Sequence, residues 1–200
     1  MISWEIERNK GRAMNNFYTD VIQKDPRFLR LDRVADPALL EPATRRLVEQ
    51  VIAGAKEMGI ALMIYETYRS QARQQQLFEH GASKLRSVGV HHYGLACDIV
   101  RHVGGEPSWK GDWTFLGKLG RANRLIWGGD WGNPKIRHDF VDLVHVQRCT
   151  VARQDALFAG KWYPDETYDP YTDGVDVPSA DAKAAKPTRS KSSSRPRSRT

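Results

Sequence analysis

At 200 residues, 40% hydrophobic and 28% charged, the chain has enough apolar residues to bury one sizeable core, with length left for a tail. Its longest apolar run, around residues 60–64, is far below the roughly 20 residues of a membrane span, and two cysteines, Cys97 and Cys149, exclude both a disulfide scaffold and a Cys-rich zinc site. The net charge of +7 is uneven: residues 163–180 hold five acids and no Lys or Arg, residues 181–200 carry +6, and residues 1–162 keep +6, a basic body suited to an anionic polymer or surface.

Residues 1–36 are weakly periodic, with turn or cap signals at Asn15-Asn16 and Asp25-Pro26. The first seven residues lack a basic region followed by an apolar one, so no secretory signal is expected, and the product is expected to be cytoplasmic on synthesis. Over 37–58, Leu40, Leu47, Val48, Val51, Ile52, Ala55 and Met58 recur at helical steps, and Gly59 stops the helix. A short buried strand is predicted over 60–65. Ser70 caps a helix running to His80, with Leu77 and Phe78 on its inner side, and Arg69 sits at the strand-to-helix junction.

Residues 81–90 read as a loop and 94–100 as a strand, with Leu95, Cys97 and Ile99 on the core face and Ala96 and Asp98 on the other. Gly104-Gly105-Glu106-Pro107 reads as a turn, and 113–122 as a helix. The glycine-rich segment 125–132 fits either a tight loop on the core or a groove wall; as a wall, it would bring Trp127 and Asp130 to a substrate. A second strand follows over 142–147 and a helix over 151–158. On alternating strands Cys97 points away from Asp98 while Cys149 shares the face of His145, which argues against a bridge between the cysteines.

After Trp162 the composition changes, and three units are expected: a domain over 1–162, an acidic Pro/Tyr-rich linker over 163–180 and a disordered basic tail over 181–200. The expected fold is α+β, a small antiparallel sheet carrying the site, with the helices of 37–58, 70–80 and 113–122 packed on its other face.

Chemistry concentrates in H-x-x-G-x-A-x-D, His91 to Asp98, and the later D-x-x-H, Asp142 to His145. Two histidines and a carboxylate suit zinc better than calcium or magnesium, which prefer all-oxygen shells. His91, Asp98 and His145 are therefore the candidate ligands of one Zn2+ ion, and Asp142 can serve as general base.

These motifs, in this order with Glu66-Thr67-Tyr68-Arg69-Ser70 and Ile126-Trp127-Gly128-Gly129-Asp130-Trp131, resemble the LAS zinc metallopeptidases, named for lysostaphin-type enzymes, D-Ala-D-Ala peptidases and the hedgehog signalling domain. The resemblance runs from about residue 25 to 147 and is strongest to the L-alanyl-D-glutamate endopeptidases and D-alanyl-D-alanine carboxypeptidases of phages and bacteria. It implies zinc on His91, Asp98 and His145, Asp142 as catalytic base, Arg69 as oxyanion stabiliser and Gln74 as a substrate contact. Two positions depart from the pattern: Gly89 stands where many relatives have Ser, and Arg124 where many have Gly.

The expected function is a zinc peptidase cleaving peptidoglycan stem peptides, a phage or prophage endolysin acting on the wall after release, and monomeric. The alternatives are a D-alanyl-D-alanine carboxypeptidase or a non-catalytic zinc-containing wall-binding module. The basic tail is a candidate contact for anionic wall polymer, lipopolysaccharide or nucleic acid.

Overall fold

The computed structural model describes residues 16–83, 86–131 and 141–173. Within them the chain runs α1 (Phe17–Asp20), α2 (Pro42–Glu57), β1 (Leu62–Glu66), α3 (Gln71–Glu79), β2 (Ala96–Val103), β3 (Glu106–Ser108), α4 (Thr114–Ala122), β4 (Ile126–Trp127), β5 (His145–Gln147) and α5 (Val151–Phe158). The strands form one antiparallel sheet in the order β1-β2-β5-β4, with β3 paired to β2 as a hairpin. This is the α+β class read from the sequence. Among the described residues no helix is long and apolar enough to cross a membrane.

The main core lies between the sheet and two helices. Leu47, Val48, Val51 and Ala55 of α2 meet Phe115 and Leu116 of α4 over Cys97, Ile99 and Val146 from the sheet. Cys97 pairs with Val146 and Val146 with Trp127, so one row across β2, β5 and β4 faces this core. Residues two apart share a face, and the next row, through Asp98 and His145, is therefore turned to the opposite side. That is the side of the site.

Four expectations change. The helix expected over 37–58 begins at Pro42, because a residue preceding proline is pushed out of the α region. Glu41 is extended instead and caps the helix, its carboxylate accepting from the Ala43 and Thr44 amides at 3.1 and 2.8 Å. Glu106 and Pro107 belong to a strand, since Gly104 and Gly105 alone take the positive φ of the hairpin turn and Pro107 sits on an edge. Phe78 faces outward, and Gln74 is the buried residue of α3. That helix flanks the site cleft rather than packing on the far face with α2 and α4.

Packing also continues past Trp162. Tyr163 donates to the Tyr93 carbonyl at 2.8 Å, Tyr171 to the Leu125 carbonyl at 3.1 Å, and Arg153 pairs with Asp173 at 2.7 Å. Residues 163–173 therefore lie against the body, drawn in by buried Arg148, which donates to the carbonyls of Asp165 and Tyr168. The basic stretch 181–200 lies outside the described residues. Arg124 carries a φ of 54°, the one positive value at a described non-glycine residue, a conformation that glycine adopts more readily.

Candidate active site

Three adjacent strands bring one row of polar side chains together. In the registers of β1 with β2 and β2 with β5, Glu66 pairs with Asp98 and Asp98 with His145. The β1 register shifts between Ile64 and Glu66; without that bulge Glu66 would alternate to a different partner. His91 joins from a 3-10 turn, Val90–Tyr93, which ends at Gly94 with φ 70°. A Cβ at Gly94 would lie 2.7 Å from the Leu39 carbonyl oxygen, so only glycine lets this turn seat against the segment preceding α2.

The three candidate ligands are buried and meet as a triangle. His91 Nε2 lies 3.1 Å from Asp98 Oδ1 and 3.2 Å from His145 Nδ1, and His145 Nδ1 lies 3.0 Å from the same Asp98 oxygen. The outer nitrogen of each ring is already committed. His91 Nδ1 faces the Thr67 carbonyl at 3.0 Å, an acceptor, so that nitrogen carries the hydrogen. His145 Nε2 faces Gln147 Oε1 at 2.9 Å, and the Gln147 amide is oriented by donating to the Cys149 carbonyl. In the neutral rings, both inner nitrogens are then lone pairs aimed at a carboxylate oxygen, an arrangement relieved only by a cation or by protons.

The spacing suits a metal. Ligand atoms at about 2.0–2.1 Å from a tetrahedral zinc lie roughly 3.3 Å from one another, close to the edges of this triangle. Asp98 and His145 also shift each other's titration. Burial pushes the Asp98 carboxyl up, yet His91 and His145 together hold it well below the usual carboxylate range. Burial pushes His145 down, and Asp98, ahead of Asp142 and Gln147, more than reverses this and raises it.

Asp142 precedes β5, half-buried on the wall of the same cleft. Its amide donates to the Gly128 carbonyl at 3.2 Å, its carbonyl accepts from the His145 amide at 3.3 Å, and its Oδ1 accepts from the Val144 amide at 3.3 Å. A Cβ on Gly128 would collide with the Asp142 carbonyl and come within 3.1 Å of His145 Cβ. The glycine-rich segment thus backs the Asp142–His145 turn. Burial, with a smaller push from Asp98, raises the Asp142 carboxyl above its ordinary value against the pull of His145 and His91. A raised carboxyl is closer to neutral and better matched to taking and returning a proton.

The cleft has a volume of about 640 Å3 and is lined by His91, Asp98, His145, Asp142, Arg69 and Gln74. Arg69 donates from Nη2 to Asp98 Oδ2 at 2.9 Å, from Nε to Glu66 Oε2 at 2.9 Å and from Nη1 to Gln74 Oε1 at 3.3 Å. Trp127 and Asp130 do not line it. The Trp127 ring is buried in the main core with Nε1 donating to the Leu143 carbonyl at 2.8 Å, and Asp130 pairs with Arg121 outside the cleft. Trp131 takes the position expected of Trp127, lining the cleft with its ring 4.9 Å from that of His145.

Sequence reasoning missed Gln147, Thr67, Glu66 and Trp109. Gln147 follows His145 by two residues on β5, and that same-face spacing was the available signal. Trp109 forms a half-exposed cleft wall, edge-on to Tyr65 at 4.8 Å between centroids, and nothing local marks it.

No family model matches the chain. Over 130 residues it is 26% identical to the peptidoglycan L-alanyl-D-glutamate endopeptidase CwlK of Bacillus subtilis (strain 168), covering 56% of this chain and 74% of that protein. Over 109 residues it is 32% identical to the L-alanyl-D-glutamate peptidase of Listeria phage A118, covering 52% of this chain and 36% of that protein. Among solved structures, the Serratia marcescens L-Ala D-Glu endopeptidase ChiX is 23% identical, with 59% of this chain and 90% of that chain covered and a TM-score of 0.41. That score is too low to carry the fold assignment, which rests on this chain's own sheet. The resemblance to LAS-type peptidases is thus supported by named sequence relatives as well as by motifs.

Proposed function

We infer that this chain, whose sequence relatives are L-alanyl-D-glutamate peptidases, is a zinc-dependent peptidase that hydrolyses the L-Ala–D-Glu bond of peptidoglycan stem peptides. The observation that carries the reading is the triangle of converging lone pairs, His91 Nε2, Asp98 Oδ1 and His145 Nδ1, in a cleft that also holds Asp142. His91, Asp98 and His145 would hold the zinc, with Thr67 and Gln147 fixing the two rings. When bound, zinc supplies a Lewis acid that polarises a carbonyl and lowers the pKa of a water.

Asp142 is the base in this reading. It takes the proton of the attacking water and returns it to the leaving amine, which its raised carboxyl pKa favours. Arg69 keeps Asp98 in place through Nη2, and its Nη1, which among the described residues makes the longer contact to Gln74, is the donor for a developing oxyanion. Gln74 and Trp131 border the groove for the peptide. The peptidase unit extends through Asp173, because 163–173 pack on the body. The phage relative favours an endolysin acting on the wall, and the basic body and tail favour attraction to its anionic polymers.

The test is digestion of purified peptidoglycan by zinc-loaded protein, with mass spectrometry of the fragments. New D-Glu amino termini are expected. Release of free D-Ala would assign a carboxypeptidase instead, and intact muropeptides would sink the reading.

A further inference from the structure

Glu66 has no part in that scheme, yet it is 1% exposed and its carboxylate is fully engaged. A buried carboxylate is strongly unfavourable unless it is paired and hydrogen-bonded. Here Oε2 accepts from Arg69 Nε at 2.9 Å and from Arg69 Nη2, and Oε1 accepts from Arg73 Nε at 2.5 Å. The bulge in β1 sets this carboxylate opposite Asp98 on the neighbouring strand. Two like charges in that register repel. Arg69 Nη2 lies between them, shared by Glu66 Oε2 and Asp98 Oδ2.

We propose that Glu66 is a positioning residue for the metal-ligand carboxylate and acts through Arg69. Glu66 anchors the guanidinium at Nε and Nη2, which aims Nη2 at Asp98 Oδ2 and leaves Oδ1 turned toward His91 and His145. It also shares the positive charge of Arg69. Without it Asp98 would face that charge alone and be a weaker donor to a cation. Arg73 steadies the other oxygen, and its remaining contact among the described residues is with the Leu31 carbonyl, so the route from Glu66 to the site runs through Arg69.

This inference rests on the metal-site reading, and the experiment separates the two. Zinc affinity is measured by competition with a chromophoric chelator for the full chain, Glu66→Gln, Arg69→Met, the double variant and Glu66→Asp, alongside melting of each metal-free protein. Glu66→Gln is expected to weaken zinc binding on the order of 10–100-fold. In the Arg69→Met background the same change is expected to alter affinity less than about twofold, because the intermediary is gone. Glu66→Asp, with the charge kept on a shorter arm, is expected to fall between Glu66→Gln and the parent. Parent-like affinity in Glu66→Gln, or an equal loss with and without Arg69, would overturn the proposal. If Glu66→Gln does not fold, Glu66→Asp decides, and parent-like zinc affinity there overturns it. A parent chain that takes no zinc at all defeats the site reading instead.

Discussion

His145 and Arg148 stand three residues apart, both almost completely buried, yet one carries the candidate chemistry and the other holds the fold. Around Arg148 donors meet acceptors. Its Nη1 lies 3.0 Å from Glu41 Oε2, its Nη2 reaches the carbonyls of Asp165 and Tyr168, and Nε alone has no partner among the described residues. Around His145 acceptors meet acceptors: two ring lone pairs and a carboxylate oxygen converge, and every surrounding hydrogen bond works to keep them so. A buried polar cluster that satisfies itself stabilises the fold. One that is incomplete without a cation or protons is a site.

The comparison predicts opposite outcomes for substitutions on its two sides. The largest effect is expected from His145→Ala. Zinc bound per chain, measured by atomic emission after dialysis, should fall to background, and hydrolysis with it, while metal-free melting changes far less than activity. A variant that still binds one tight zinc would break the contrast. Next is Asp142→Asn, which removes the proposed base but none of the proposed ligands: turnover should fall on the order of 10²–10⁴-fold with zinc content unchanged. Activity equal to the parent would take Asp142 out of the mechanism.

On the other side, Arg148→Met leaves Glu41 buried without its cation, although the amides of Ala43 and Thr44 still serve that carboxylate. The expected cost is about 3 kcal/mol, or on the order of 10 °C in melting temperature for a chain of this size, with faster proteolysis near residues 163–173 and unchanged zinc affinity. Weakened zinc binding would show that the clusters are coupled after all.

The smallest effect concerns pH. Hydrogen bonding from Arg153, then Thr150 and Tyr168, holds the Asp173 carboxyl below its ordinary value against burial. A depressed carboxyl stabilises the fold above its unfolded pKa of about 3.9 and loses that contribution as pH falls through the folded value. The melting difference between the parent and Asp173→Asn should therefore be largest near neutral pH, shrink as pH falls below about 3.9, and vanish only below the folded value. A difference that grows on acidification would contradict the sign.

The site was far more legible in the sequence than its supports. His91, Asp98, Asp142 and His145 stand out because the donor types needed for a metal and a base recur at short, fixed offsets. Glu66 and Trp131 could not be placed that way, since a bulge in β1 and the path around Gly128 decide where they point. Trp127 illustrates the limit. From composition an aromatic beside glycines fits a groove wall, but its register with Val146 turns it into the core. The packing of 163–173 was equally hidden, because acidic, proline-rich chain gives no periodic signal, and what fastens it is a buried arginine in another segment.

The most direct measurement is hydrolysis of the L-Ala–D-Glu bond by metal-free protein as zinc is added back in small steps. Activity should rise in proportion to zinc and level off at one ion per chain, with no rise in His145→Ala. Full activity in the thoroughly metal-free protein, or a plateau unrelated to zinc occupancy, would contradict the account.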